Sequence, residues 1–268
     1  MDTSDKINLL RWQLDSGADE FIEIKPVNRL KNGLPHSKPK DNLAKQTENI
    51  TDPVETIYPP KNISKELFTS TLEKTNLAET VDELKLALED FEGCSLKATA
   101  TNLVFAHGNP TAKLMFVGEA PGTEEDRNGI PFFGKSGQLL NKMIASIGLE
   151  RSKVMVCNTV FWRPPGNRPP TPHEVALCLP FLERLIQLVN PSILVCLGGP
   201  ASKTLFGTSE GIGRIRGKWF SYQNSGMPNP IDSTAMFHPK YLNQTPKQKH
   251  LAWRDLLTIS EKLAVKVI

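Results

Sequence analysis

Four short runs constrain this chain more than any other feature: 113–118 (KLMFVG), 153–160 (KVMVCNTV), 192–198 (SILVCLG) and 233–238 (STAMFH). Each is nearly continuous in apolar residues, as strands covered on both faces are. Helical patterns separate them near 136–148, 172–189 and 199–206, and a last one covers 247–264. Strand alternating with helix predicts a parallel sheet between two helical layers. The expected fold class is therefore α/β, a three-layer α/β/α sandwich with a four-stranded, mainly parallel sheet.

In such sheets, sites form beyond the carboxyl ends of the strands. The first run ends in Gly118-Glu119-Ala120-Pro121-Gly122, and the second reaches Asn158 before "FWRPPGNRPP". The third ends in Gly198-Gly199 and the fourth in His238-Pro239. A carboxylate, an amide, two glycines and an imidazole thus gather on one rim. The loop from Gly118 to Gly137 adds Glu124, Glu125 and Asp126, with Phe132 and Phe133 close behind. Packing does not call for that many acids in one Gly/Pro-rich loop.

Upstream, the chain divides by composition. Residues 5–17 have a helical apolar face after Ser4 and Asp5, so 1–23 is expected to hold an N-terminal helix. The tract 24–75 has six prolines between 26 and 60, and Tyr58 is its single aromatic between 22 and 67. Such a segment buries too little apolar surface to offset its ordering entropy, which predicts a disordered Pro/Lys-rich linker. The main domain is expected over 76–268, opening with the amphipathic helix in "TVDELKLALEDFEG".

The 268 residues carry a formal net charge of +3, which permits a polyanionic partner without demanding one. No apolar stretch reaches the roughly 18 residues that span a bilayer, and the first residues lack a secretory pattern. The expectation is a cytoplasmic protein that does not engage a membrane. None of the four cysteines forms a C-x-x-C pair, and Cys157 and Cys196 sit inside apolar runs as small core residues. "GIGRIRGKW" is basic but does not open a helix after a strand, so it is read as a loop and strand edge rather than a nucleotide fingerprint.

"GEAPGTEEDRNGIPFFGKSGQLL", "NTVFWRPPGNRPP" and "HPKYL" resemble the motifs of the family 4 uracil-DNA glycosylases. The resemblance covers roughly residues 90 to 260, with the motifs in order and each at a strand end. It implies removal of uracil from DNA by hydrolysis of the N-glycosidic bond, with the base flipped out of the duplex. On that resemblance Phe132 stacks on the pyrimidine, Asn158 pairs with its O4 and N3–H, and Ala120 lies beside it. An amide both donates and accepts, and cytosine reverses the required pattern. His238 donates to uracil O2 as charge develops there. Glu119 and Glu125 are the two candidates for orienting water or stabilising the sugar cation, and the sequence leaves the choice open. Asp126 is read as fixing the loop through backbone N–H groups, and Glu124 as a solvated acid.

DNA contacts are assigned to Arg163, Arg168, Ser136, Gln138 and Lys240, with Leu242 as an apolar wedge in the minor groove. The expected partner is uracil-containing DNA, bound by a monomer, with the N-terminal helix available to a repair or replication protein.

Family 4 enzymes usually hold a 4Fe–4S cluster on four cysteines. Here Cys94 and Cys178 match two ligand positions, while Phe91 and Trp162 stand at the others. The resemblance therefore departs at the cluster, and no cofactor is expected. Two further readings stand beside a uracil glycosylase: a catalytically weak DNA-binding module of the same superfamily, or a glycosylase for another deaminated base. A nucleotide hydrolase would need a P-loop or metal motif that the chain does not show.

Overall fold

The computed structural model describes residues 65–267. A six-stranded sheet organises them. In chain order the strands are β1 (Ala106–Gly108), β2 (Leu114–Gly118), β3 (Met155–Asn158), β4 (Ile193–Leu197), β5 (Trp219–Tyr222) and β6 (Ile231–Met236). The spatial order is β1-β3-β2-β4-β6-β5. The inner four run parallel, and β1 and β5 pair antiparallel at the two edges.

The four parallel strands are the four apolar runs, and β2, β3 and β4 are buried at every position. The expectation of a four-stranded sheet needs correction at both edges. An edge strand is covered on fewer sides, so its sequence need not be apolar. β1 reads Ala-His-Gly and is mostly exposed, while β5 begins at Trp219, the last residue of the basic stretch read as a loop and strand edge.

Helices cover both faces. They are α1 (Lys65–Leu77), α2 (Val81–Glu89), α3 (Thr123–Asn128), α4 (Lys135–Ser146), α5 (Pro172–Val189), α6 (Gly199–Phe206), α7 (Ile212–Ile215), α8 (Pro239–Gln244) and α9 (Lys249–Val267). Strand alternation sorts the core into two layers. Met115, Val117, Met155, Cys157, Leu194 and Cys196 face a cluster with Leu182 and Leu185 of α5 and Leu205 of α6. Leu114, Phe116, Val156, Val195 and Leu197 face the other, with Leu140 and Ile144 of α4 and Leu256 and Ile259 of α9. The period of two along each strand produces this split. Helix α5 begins with a reciprocal cap: Thr171 accepts from the Glu174 N–H, and Glu174 accepts from the Thr171 N–H.

The proposed N-terminal helix (1–23) and most of the 24–75 linker lie outside the described residues. The last part of that linker is corrected: α1 occupies 65–77. Thr71, Thr75 and Ala78 are buried at helical spacing, and Arg184 of α5 donates to the Ala78 carbonyl at 2.7 and 3.0 Å. Two of those buried positions are threonines, which a pattern of apolar residues does not register. No helix among the described residues is long and apolar enough to cross a membrane.

The order of the parallel strands reverses around β2. The crossover from β2 to β3 runs to one side, and β3 to β4 returns past it. The crevice beyond their carboxyl ends is where α/β sheets hold ligands.

Candidate active site

A cavity of about 800 Å³ opens at that crevice. Glu119, Ala120, Glu125, Phe132, Ser136, Gln138, Asn158, Arg168, Lys240 and His238 all line it. Ten of the candidate residues therefore meet at one place. Arg163 and Leu242 do not line it.

Asn158 closes β3 directly opposite Gly118 at the end of β2. It is 2% exposed, and no hydrogen bond among the described residues holds its amide. The side chain lines the cavity, with Oδ1 beside Gly118. Gly118 makes this possible, since a Cβ there would sit 2.5 Å from both Asn158 Oδ1 and Phe132 Cζ.

Phe132 is buried at φ +53°, in the left-handed region that a bulky side chain rarely occupies. Such strain persists where surrounding contacts over-determine the backbone. Two contacts do so. The Phe133 and Gly134 N–H groups both donate to Glu125 at 3.0 Å, and Arg151 donates to the Pro131 carbonyl at 2.8 Å. Gly137 lets the chain close on itself, because a Cβ there would lie 1.6 Å from the Phe132 carbonyl oxygen. The ring stacks on His238 with centroids 5.5 Å apart and planes at 28°.

His238 caps α8. Its Nδ1 accepts from the Lys240 backbone N–H at 3.0 Å. An acceptor at Nδ1 places the proton of the neutral ring on Nε2. Burial and the neighbouring Lys240 ammonium push the imidazolium pKa down to about 4. At neutral pH the site thus presents an uncharged ring with an Nε2–H donor.

The two carboxylates left open by sequence differ here. Glu125 accepts from three backbone N–H groups, those of Gly122, Phe133 and Gly134, each at 3.0 Å. Its oxygens are engaged in holding the loop. Among the described residues the Glu119 side chain has no such partner; instead its backbone carbonyl is held by the Thr159 hydroxyl at 2.7 Å. Burial raises the Glu119 pKa, and the Lys240 charge opposes that rise. Asp126 accepts from the Thr101 and Asn102 N–H groups, which ties the loop as expected. The Gly/Pro-rich loop contains α3, whose first turn holds Glu124, Glu125 and Asp126.

Three DNA-contact assignments need correction. Arg163 bonds Asn167 at 2.8 Å and lies 3.7 Å from Asp126, so it braces two loops. Arg168 lines the cavity, but its guanidinium is bidentate on buried Glu174 at 2.8 and 2.6 Å. The Arg168 bond and charge hold the Glu174 pKa down to about 2, against burial. That pairing neutralises the charge a phosphate would seek. Leu242 is 1% exposed within the α4–α9 core layer, so it is a packing residue and not a wedge. Sequence reasoning overlooked its exposed neighbour Tyr241, and also Lys135 and Gln244, which line the cavity mouth. The turn of α8 that buries one residue exposes the next, but no periodic pattern marks so short a helix.

The residues at the resemblance's cluster positions lie in the core layer of α5. Cys94 and Cys178 are buried free thiols; their mutual interaction lowers the Cys94 pKa and raises the Cys178 pKa. Phe91 and Trp162 are 3% and 2% exposed, and the Phe91 ring packs on Phe181 at 5.1 Å. No group of three or more His, Cys, Asp or Glu among the described residues is placed to hold a metal ion. Two thiols, with Phe91 and Trp162 at the other two positions, do not fit a four-thiolate cluster.

A family profile described as "Uracil DNA glycosylase superfamily" matches residues 105–257. The type-4 uracil-DNA glycosylase of Archaeoglobus fulgidus is 36% identical over 187 residues, covering 68% of this chain and 93% of that protein. The type-4 enzyme of Thermotoga maritima is 38% identical over 172 residues, covering 61% and 84%. That of Sulfurisphaera tokodaii is 36% identical over 188 residues, covering 68% and 84%.

Proposed function

The chain belongs to the uracil DNA glycosylase superfamily, with type-4 enzymes among its relatives, and from that premise we propose that it excises uracil from DNA by hydrolysing the bond between uracil N1 and deoxyribose C1′. The observation that carries this reading is His238, a neutral imidazole locked with its proton on Nε2 and stacked on Phe132 at the cavity wall.

The chemistry follows from what must be stabilised. As the C1′–N1 bond breaks, its electron pair moves onto uracil and negative charge grows on O2. A preorganised neutral donor stabilises that charge more than it does the ground state. The His238 Nε2–H is such a donor. Asn158 supports uracil recognition, since its free amide can accept from N3–H and donate to O4. Phe132 offers a ring face to the pyrimidine. Water adds to C1′ from the other side, and Glu119 takes its proton while its charge favours the sugar cation. Glu125 serves as a positioning residue for the Phe132 loop.

DNA enters as the partner through Lys240, Ser136 and Gln138 at the mouth. We propose that the protein acts without an iron–sulfur cluster. The proposed setting is a monomer in the cytoplasm. Residues 1–23 as a handle for a repair or replication protein belong to the same proposal.

The test is alkaline cleavage of end-labelled U·A and U·G duplexes after incubation with the purified full chain. Strand scission is expected, and it falls by about 10²- to 10³-fold in His238→Ala and Asn158→Ala, the scale of losing one charge-stabilising donor. Uncut duplexes with the unaltered protein would overturn the reading.

A further inference from the structure

Burying Leu242 leaves a requirement unmet. Extracting a base opens a gap in the stacked duplex, and unstacking costs free energy that the protein must offset. The side chain that occupies the gap must be exposed, beside the cavity, and stiff. Leu242 fails the first two, because it sits inside the core and does not line the cavity.

Tyr241 meets all three conditions. It lines the cavity and is 39% exposed. Its ring rests on Phe237 with centroids 5.0 Å apart. Phe237 is in turn covered by the Arg216 guanidinium at 5.6 Å from its centroid. Arg216 is fixed by Asp255 and by the Leu251 carbonyl of α9. The Tyr241 ring therefore stands at the end of a propped column. The short helix that carries it is pinned to α4 by Asn243, which donates to the Lys135 carbonyl at 3.3 Å. Lys135 and Lys240, both at the same mouth, supply charge complementary to the flanking phosphates.

We propose that Tyr241 fills the gap left by the extracted nucleotide, stacking on the neighbouring base pair from the end of the Phe237–Arg216 column. This rests on the uracil-excision reading above. An aromatic ring stacks on any base, so the contact holds the duplex open without reading sequence. Tyr241 is thereby a positioning residue, separate from the groups that touch uracil.

The test uses a duplex with a tetrahydrofuran abasic analogue and 2-aminopurine on its 3′ side, together with single-turnover uracil release from a U·A duplex. The full-length protein is expected to quench the 2-aminopurine fluorescence. Tyr241→Ala should lose the quench and slow uracil release by roughly ten- to a hundredfold. Tyr241→Phe should restore both. Leu242→Ala should lower the thermal midpoint and keep the quench. An unchanged quench and rate in Tyr241→Ala would overturn the proposal, as would transfer of the defect to Leu242→Ala. An unaltered protein that releases no uracil would remove the underlying reading and this inference with it, whereas uracil release with an indifferent Tyr241→Ala removes the inference alone.

Discussion

The backbone N–H of Lys240 donates to Nδ1 of His238, and this one bond decides which ring nitrogen carries the proton. The donor at Nε2 exists only while the ring is neutral. With the folded pKa lowered from 6.5 to about 4, that condition holds throughout the neutral range. The His238 Cε1–H resonance is expected to titrate near pH 4 by NMR. Acidification below 6.5 adds the proton to the unfolded chain first. Stability contributed by His238 therefore falls between pH 6.5 and about 4, and levels below that. His238→Gln should flatten this part of the stability profile in denaturant titrations. A His238 midpoint at or above 6.5 would contradict the neutral-donor argument.

The two acidic candidates should separate by what each mutation damages. Glu119→Gln removes a carboxylate that faces the cavity, so kcat is expected to fall by about 10²- to 10⁴-fold at nearly unchanged thermal midpoint. Glu125→Ala strands three backbone donors and frees the strained Phe132 loop. Its thermal midpoint should drop, with a stability loss of roughly 1–3 kcal/mol. Calorimetry beside single-turnover kinetics distinguishes them, and the reverse pattern would exchange their roles.

Gly118 and Gly137 should respond differently to alanine. At Gly118 the added Cβ meets side-chain tips, Asn158 Oδ1 and the Phe132 ring, which can move aside. Gly118→Ala is expected to fold and to lose uracil release, because the recognition amide and the stacking ring are displaced together. At Gly137 the added Cβ meets the Phe132 backbone itself. Gly137→Ala should lower stability as well as activity. Circular dichroism melts paired with rate measurements check both.

Trp162 is buried in the same core layer as Cys178, at a position where the resemblance would place a ligand. Buried at 2% exposure, it should cost about 3–5 kcal/mol when cut to alanine, measured by urea unfolding. The purified protein should carry no iron by metal analysis. Stoichiometric iron would overturn the argument from the donor set.

The sequence by itself determined the parallel sheet and the identity of the rim. The reason is that apolar runs of strand length between helical patterns admit few topologies, and the topology delivers strand ends to one side. Glu119, Asn158 and His238 were legible because each directly follows or closes such a run. Tertiary structure decided everything that depended on direction or partner. Leu242 and Tyr241 are neighbours in sequence, and only packing of α8 against α4 turns one inward and the other to the cavity. Arg168 looks like a phosphate contact until Glu174, six positions on, takes its guanidinium. Glu125 and Glu119 are equivalent as letters; three backbone donors brought together by the loop tell them apart. β1, the rest of β5 and α1 stayed hidden because half-covered backbone needs no apolar run, and buried threonines can fill a helical stripe.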